Sequence, residues 1–320
     1  MTLSKTVIAG LSIAAAATVI TISAQSAEVK LKAASFLPTR IIYAKYFGDW
    51  VKSVNKVCTG KVKISIIGPA AIKSLEQWNA VKTGVVDMHY GPPNYYKGAM
   101  PEGSVTDLAS NETEVRRKNG AWAMLNEQHK KKLNSVYLTQ IIDGLRFFLY
   151  TIKPAKDMKF NGFRLRSVPI YDTFFKSLGA NPVRMGARAV YTALERKVVD
   201  GMGWPLWGVN GFGWHKFLKY RYEPGFLTAG VNILVNQDKW KTMTNDQRGC
   251  LMERTVWVEK MWPAWRAEQD KKEMAMQTKA GIKPVKWSSD LPKRAWKLYH
   301  ADMRKAAPAF IDKVLPLLTK

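Results

Sequence analysis

The chain has 320 residues, of which 47% are hydrophobic and 23% are charged. These proportions are typical of a globular protein and exclude a long disordered chain. Lysine and arginine number 50 against 25 aspartates and glutamates, so the formal net charge at pH 7 is +25. Such an excess of positive charge favours anionic partners, because long-range attraction speeds their capture.

The first 27 residues have the pattern of a secretory signal peptide. Lys5 carries the positive charge, residues 7–22 form an apolar run, and the small residues Ser26 and Ala27 follow it. An uncleaved membrane anchor is the alternative, but the run is near the short limit of a bilayer span, roughly 17–25 residues, and contains serine and threonine. We therefore expect cleavage after Ser26 or Ala27, which leaves an exported soluble chain with a net charge of +24.

Between residues 29 and 93, strand patterns alternate with helix patterns. Val29–Ser35 alternates apolar and polar residues, as a strand with one apolar face does. The helix that follows runs to Gly60, and Ser74–Gln77 fits a capping box that opens a second helix. Two further strand patterns span residues 62–66 and 85–90. Strands that alternate with helices predict parallel βαβ units, which form a first lobe.

The rest of the chain predicts a second lobe and two connections between the lobes. Residues 141–151 and 232–236 are apolar strand patterns that we expect to cross from one lobe to the other. The second lobe has strand and helix patterns at residues 163–168, 171–178 and 190–196. A later helix, at about 246–280 with a kink at Pro263, is expected to pack along both lobes. Two shorter helices end the chain.

These elements predict an α/β fold of two lobes. The first lobe comprises residues 28–145 and about 232–272, and the second comprises residues 146–231 and about 273–320. Because the chain crosses twice, each lobe is built from two separate segments. The crossing strands are then the expected position of a hinge.

Two arginines, Arg146 and Arg166, lie twenty residues apart, each beside an apolar strand pattern. A guanidinium is planar and offers two parallel charge-assisted hydrogen bonds, which suits a carboxylate. An ion pair with an acidic residue of the chain is the alternative for each arginine. The position at the opening of an α/β lobe favours capture of a carboxylate.

An ordered series of motifs surrounds Arg166. It consists of Gly162–Arg166 (GFRLR), Leu178–Met185 (LGANPVRM), Val190–Leu194 (VYTAL) and Val199–Gly201 (VDG). In this order the motifs resemble the substrate-binding proteins of TRAP transporters, the tripartite ATP-independent periplasmic transporters of the DctP family. The resemblance covers nearly all of the mature chain. It implies a periplasmic binding protein-like fold whose lobes close on a small organic acid, with a membrane permease as partner.

The resemblance also implies roles for particular residues. The family arginine that matches Arg166 binds the ligand carboxylate, and the one that matches Arg146 can reach the ligand across the cleft. Thr39 and Arg40 match the loop by which the first lobe closes the cleft. Arg188 lies near a position that faces the ligand in relatives, with a surface helix arginine as the alternative.

Aromatic residues are also expected around the ligand. Trp204 lies at a turn where family members place a ligand contact, and it offers either a flat apolar wall or an indole N–H. Gly203 stands where relatives that bind keto acids have a glutamate that helps to bind a cation, so no metal is expected. The weaker candidates, each with a place in the core or at the rim as the alternative, are Tyr90, Tyr95, Tyr171, Trp207 and Trp214.

Patterns for catalysis are absent from the sequence. The four histidines show no metal-ligand spacing, and there is no nucleophile elbow, zinc-protease motif or phosphate loop. We therefore expect neither enzymatic activity nor a cofactor. The basic runs lie far apart in polar, helix-like stretches, so nucleic-acid binding is not expected either. Cys58 and Cys250 could pair in an oxidising compartment, but the sequence leaves open whether they meet, and TRAP relatives generally lack such a bridge.

The sequence thus predicts a periplasmic solute-binding protein for a small organic acid, monomeric or homodimeric as its relatives are. A sulfonate or a compatible solute could replace the carboxylate in the same site. A secreted enzyme on this fold is the first rival, and it would need an acid–base pair in the cleft. A basic polyanion-binding protein is the second rival, and its binding should fall steeply with salt.

Overall fold

The computed structural model describes residues 27–319, so nearly all of the signal peptide expected at residues 1–27 lies outside them. The first lobe begins with β1 (Val29–Ser35), α1 (Ile42–Val57), β2 (Val62–Ile67), α2 (Gln77–Lys82) and β3 (Met88–Gly91). β1 pairs in parallel with both β2 and β3. The predicted parallel βαβ units are therefore confirmed.

Helix α1 shows how the spacing of apolar residues sets the packing of this lobe. Phe47, Trp50, Val51 and Val54 recur at intervals of three and four residues, and each is at most 5% exposed. Burial of one such side chain stabilises the fold by about 1.5–3 kcal/mol. The charged residues of the helix lie on its outer side, where Lys45 pairs with Asp49 one turn later.

The later elements combine strands with helices and end in two C-terminal helices. They are α3 (Thr113–Lys118), α4 (Ala121–Leu133), β4 (Ser135–Thr151), β5 (Arg164–Ser167), α5 (Asp172–Ser177), β6 (Asn181–Arg184), α6 (Ala187–Glu195), β7 (Gly201–Pro205), β8 (Tyr220–Asn236), α7 (Gln237–Thr242), α8 (Asn245–Lys279), β9 (Lys283–Lys286), α9 (Asp290–Ala306) and α10 (Pro308–Leu318). The strands form one mixed sheet in the order β2-β1-β3-β8-β4-β7-β5-β6, with β9 beside β8.

The two long strands β4 and β8 connect the lobes. Each has 17 residues, and they pair with each other in antiparallel orientation. The last residues of β8 pair with β3 in the first lobe, whereas the last residues of β4 pair with β7 in the second. The pairing of β4 and β8 shifts register between Ile141 and Leu145, where Ile142 and Gly144 have positive φ angles of 58° and 71°. This irregularity lies at the expected boundary between the lobes, and the two predicted crossings are confirmed.

Helix α8 runs along both lobes, as predicted. It begins at a capping box formed by Thr244 and Gln247. Near its end, the Gln277 amide donates to the carbonyl of Leu206 at 2.6 Å, and Glu273 accepts from the amide of Gly208 at 3.1 Å. The C-terminal part of the helix is therefore hydrogen-bonded to the second lobe, at the loop that follows β7.

A disulfide joins Cys58, at the end of α1, to Cys250, in the first turns of α8. Their Cα atoms are 6.0 Å apart, although the residues are separated by 192 positions in the sequence. The sequence leaves open whether the two cysteines meet. In the structure they do, and the disulfide bonds the start of α8 to the first lobe.

Two details differ from expectation. Ser74 and Gln77 do not form a capping box, because the Ser74 hydroxyl donates to the carbonyl of Phe36 and the Gln77 amide to that of Ser35. Helix α10 packs against the first lobe, whereas we expected residues 273–320 in the second. The physical reason is that its last turn accepts hydrogen bonds there, including one from the Asn119 amide to the carbonyl of Leu317 at 2.6 Å.

Within residues 27–319, no helix is both long enough and apolar enough to cross a membrane.

The core of the first lobe contains a histidine that should make its stability sensitive to acid. His89 on β3 is fully buried, and neither ring nitrogen has a hydrogen-bond partner within residues 27–319. Burial lowers the pKa of His89 to about 3. The unfolded chain protonates this histidine near pH 6.5, whereas the folded chain keeps it neutral. Above about pH 6.5 the neutral ring therefore costs no stability. As the pH falls from there towards about 3, protonation of the unfolded chain lowers the free energy of unfolding.

Replacing His89 by leucine should therefore flatten the pH dependence of stability. We expect the wild type to lose about 2 kcal/mol more than H89L in the free energy of unfolding between pH 7 and pH 5. Urea unfolding of both proteins at both pH values measures this difference. The contributions of the other titratable groups cancel, because the two proteins share them. Parallel losses in the two proteins would contradict the assignment.

Candidate ligand-binding site

A cavity lies between the two lobes, and we call it the inner chamber. It is lined from the first lobe by Phe36, Tyr43, Pro92, Asn94 and Tyr95, from the crossing strands by Phe147, Ala229, Gly230 and Val231, and from the second lobe by Arg166, Val168, Tyr171, Trp204 and Pro205. About 50 Å³ is open to the centre of a water-sized sphere. The chamber is therefore small and largely apolar, with six aromatic residues in its lining, and both lobes contribute to it.

Arg166 provides the only cationic side chain in this lining. It is 1% exposed. Its Nε donates to the carbonyl of Met185 at 3.0 Å, and its Nη1 donates to the Tyr171 hydroxyl at 2.7 Å and to the carbonyl of Gly203 at 3.1 Å. All three acceptors are neutral. In the part of the chain that the structure describes, Arg166 has no acidic partner.

Arg164, two residues earlier on β5, shows the contrasting arrangement. Its Nε lies 3.2 Å from a carboxylate oxygen of Asp200, and its side chain is 47% exposed. The ion pair that was the alternative for Arg166 is therefore made by Arg164 instead. Arg166 keeps a buried positive charge that faces a cavity.

Tyr171 and Trp204 hold Arg166 in place. The Tyr171 hydroxyl accepts from Arg166 and donates to the carbonyl of Gly203 at 2.7 Å. The guanidinium lies 5.2 Å from the centre of the Trp204 ring, within the range of a cation–π contact. A Cβ at Gly203 would lie 2.7 Å from the Tyr171 ring, so glycine at this position permits the close approach.

Trp204 presents its ring and not its N–H to the chamber. The indole N–H donates to the carbonyl of Trp207 at 2.8 Å. The ring packs edge-to-face with Tyr43 and Trp214. Of the two roles that the sequence allowed for Trp204, the structure therefore favours the flat apolar wall.

Arg146, Tyr90 and Trp207 are expected site residues that lie outside the inner chamber. Arg146 is exposed, because neighbouring residues of a strand point to opposite faces and Phe147 takes the inner one. Tyr90 is buried in the first lobe, stacked on Phe47, and its hydroxyl donates to the carbonyl of Tyr43. Trp207 is fully buried, and its N–H donates to Asp270 of α8 at 2.6 Å. Each of the two aromatic residues has a structural partner in the core.

Arg40 and Arg188 both line a second groove, which lies outside the inner chamber. They line it with Tyr191 and Phe212, among others. Arg188 donates to the carbonyl of Pro69 in the first lobe at 3.4 Å. Thr39 is exposed and does not belong to the lining of this groove or of the inner chamber. The structure thus brings Arg166, Tyr171 and Trp204 together and leaves Thr39, Arg40 and Arg188 outside.

The main residue that sequence reasoning missed is Asn94. It follows Pro92 and Pro93, which come directly after β3, and it is 7% exposed. Its amide oxygen is buried and has no hydrogen-bond partner in residues 27–319. Ligands of open α/β sheets bind beyond the carboxyl ends of the strands, so the position after β3 was the available signal.

Tyr95, next to Asn94, lies close enough to Arg166 for the two to interact. Burial raises the pKa of the Tyr95 hydroxyl, and the nearby positive charge of Arg166 opposes this effect. The first lobe therefore faces the guanidinium with one amide and one phenol. Among the described residues, no group of three histidine, cysteine, aspartate or glutamate side chains is arranged to hold a metal ion.

Comparison with known proteins identifies the family. The model of the family described as bacterial extracellular solute-binding protein, family 7 (DctP) matches residues 34–298. The 2,3-diketo-L-gulonate-binding periplasmic protein YiaO of Escherichia coli (strain K12) is 22% identical over 269 residues, which cover 80% of this chain and 78% of that protein.

Solved structures are similar in fold. A TRAP periplasmic solute binding protein of Desulfovibrio salexigens, with bound orotic acid, has a TM-score of 0.80 at 17% identity, covering 90% of this chain and 97% of the other. An extracytoplasmic solute receptor of Bordetella pertussis that binds pyroglutamic acid has a TM-score of 0.78 at 15% identity, covering 91% and 99%. The two-lobed fold that the sequence predicts is confirmed, and the chain belongs to family 7 of the bacterial extracellular solute-binding proteins, the DctP family that its motifs resemble.

Proposed function

We propose that this protein captures a small organic acid in the inner chamber, with Arg166 binding the carboxylate, and delivers it to the membrane permease of a TRAP transporter. Members of the family are periplasmic solute-binding proteins of transporters and not enzymes. The observation that carries the assignment of the site is the buried charge of Arg166 in an interlobe cavity. A buried charge without an ionic partner is costly, and a ligand carboxylate would supply that partner.

The ligands of relatives support a carboxylate. The proteins compared above bind 2,3-diketo-L-gulonate, orotic acid and pyroglutamic acid. Each carries one carboxylic acid group, although the rest of the molecule differs widely. A guanidinium matches that shared group by two parallel hydrogen bonds, and Nη2 of Arg166 has no acceptor within residues 27–319.

Closure of the lobes would complete the site. The chamber is lined from both lobes, and the connecting strands β4 and β8 lose regular pairing at residues 141–145. Hinge bending at that point would move Asn94 and Tyr95 towards and away from Arg166. Expulsion of water on closing strengthens the pair between guanidinium and carboxylate, because the local dielectric constant falls.

Export by cleavage of the signal peptide forms part of the proposal. The family is periplasmic, and residues 1–27 have the pattern of a cleavable leader. The mass of the protein recovered from the periplasm tests this point: an intact leader would contradict it.

A thermal-shift comparison of acids with their amides tests the proposed ligand class. We expect organic acids to stabilise the mature protein, and the best of them to add about 2.7 kcal/mol when present at 100 times its dissociation constant. The matching primary amides should give no shift, because they lack the charge. The shift should persist in 0.5 M salt, unlike the binding of a polyanion. Equal shifts for acids and amides would contradict the role of Arg166. A shift with sulfonates alone would show that the anionic group of the ligand is a sulfonate and not a carboxylate.

A further inference from the structure

The inner chamber offers few hydrogen-bonding groups to a ligand, because its polar side chains bond mainly to the protein itself. The Tyr43 hydroxyl donates to the carbonyl of Trp207 at 3.0 Å, and the Trp204 N–H donates to the same carbonyl at 2.8 Å. The Tyr171 hydroxyl lies between Arg166 and the carbonyl of Gly203. Each of these groups has satisfied its donor within the walls.

Three groups of the lining remain for a ligand. They are Nη2 of Arg166, the amide of Asn94 and the hydroxyl of Tyr95, none of which has a hydrogen-bond partner in the described range 27–319. Asn94 is only 7% exposed, so water has little access to satisfy its amide when a hydrogen-bond partner is missing. An amide can present either its oxygen or its N–H by a half-turn, and it therefore suits a hydroxyl or a carbonyl.

The charge of the chamber sets a second limit. Arg166 is the single cation of the lining, and it faces no acid in the described chain. One carboxylate would neutralise it. A second carboxylate in the same chamber would be desolvated among aromatic rings without a counter-charge, which proteins avoid.

From these limits we propose that the natural ligand is a compact monocarboxylate with an apolar body and one further polar group, which Asn94 recognises from the first lobe. Arg166 holds the carboxylate, the aromatic walls cover the apolar body, and Asn94 selects for the polar group. Polyhydroxylated acids are disfavoured, since each additional hydroxyl would enter the chamber without a partner and lower affinity by roughly tenfold. This inference rests on the proposed function of Arg166.

A series of six-carbon acids separates these requirements. It comprises 4-methylpentanoate, its 2-hydroxy and 3-hydroxy derivatives, gluconate and adipate, with 4-methylpentanamide as the uncharged control. Calorimetric titration of the mature protein should place the better hydroxy derivative first. We expect 4-methylpentanoate to bind about tenfold more weakly, and gluconate and adipate at least 100-fold more weakly.

Replacement of Asn94 by leucine tests the residue itself. Leucine has a similar size but forms no hydrogen bond, so in N94L the ratio of the two dissociation constants, about tenfold in the wild type, should fall to about one. A structural role alone would weaken both acids equally. N94A serves as the second variant if N94L folds poorly, and far-ultraviolet circular dichroism checks the fold of both.

The outcomes separate this inference from the function on which it rests. Tightest binding of gluconate or adipate would overturn the ligand class while leaving the capture of acids by Arg166 intact. An undiminished preference for the hydroxy derivative in N94L and N94A would overturn the role of Asn94. Failure of every acid in the series would overturn the ligand class, and equal binding of the amide would overturn both proposals.

Discussion

Replacing Arg166 by glutamine should nearly abolish capture of the ligand. Removing one partner of a buried, hydrogen-bonded charge pair costs about 2–5 kcal/mol, which is roughly 30- to 5,000-fold in the dissociation constant. Glutamine retains a polar side chain close to Tyr171 and the carbonyl of Met185, but it carries no charge to pair with a carboxylate. Isothermal titration with the best acid from the thermal-shift screen measures the effect.

Arg164 offers a matched control on the same strand. It is two residues away, and its guanidinium pairs with Asp200 outside the chamber. R164Q should therefore leave the dissociation constant within about twofold of the wild type, because a partly exposed ion pair contributes little. R166K should fall between wild type and R166Q, since an ammonium keeps the charge but loses the planar fork. Full affinity in R166Q, with the protein folded, would show that the carboxylate binds elsewhere.

Loss of the Cys58–Cys250 disulfide should lower the stability of the protein without changing its affinity for ligand. The bond closes a segment of 192 residues. Cross-links of long segments stabilise proteins by about 2–5 kcal/mol, mainly by restricting the unfolded chain. Cys58 directly follows α1, Cys250 lies in α8, and neither residue lines the inner chamber. Denaturant unfolding of C58A/C250A against wild type measures the loss.

Reducing agent provides the control for this prediction. Dithiothreitol should lower the melting temperature of the wild type towards that of C58A/C250A and should leave the double variant unchanged. Titration of thiols in the unfolded, unreduced wild type should find none. Two free thiols in protein exported to an oxidising compartment would contradict the pairing.

Some features follow from the local pattern of residues alone. The parallel units of the first lobe, the two crossing strands and the limits of α8 agree with the sequence because apolar spacing and strand alternation depend on neighbours in the chain. Arg166 was identified in the same way, from motifs close to it in sequence. The capping box expected at Ser74 failed because its hydroxyl found a tertiary acceptor, the carbonyl of Phe36, that no local pattern reveals.

The choice among aromatic residues also depended on tertiary partners. Trp204 and Trp207 are three positions apart in similar sequence surroundings, yet Trp204 faces the chamber and Trp207 bonds to Asp270 of α8. Arg146 and Phe147 divide the two faces of β4, and only Phe147 lines the chamber. Each outcome depends on which residue of another element lies opposite.

The sequence by itself determined the α/β class, the family and the arginine expected to bind a carboxylate, since each of these is written in contiguous motifs. The tertiary structure alone decided which side chains meet that arginine. Asn94 and Tyr95 lie more than 70 positions before Arg166 and reach it only when the lobes assemble. It likewise decided that Cys58 meets Cys250 and that the Tyr43, Tyr171 and Trp204 donors are already bonded. Contacts between distant segments depend on the packing of the whole chain, and that packing determines which polar groups remain for a ligand.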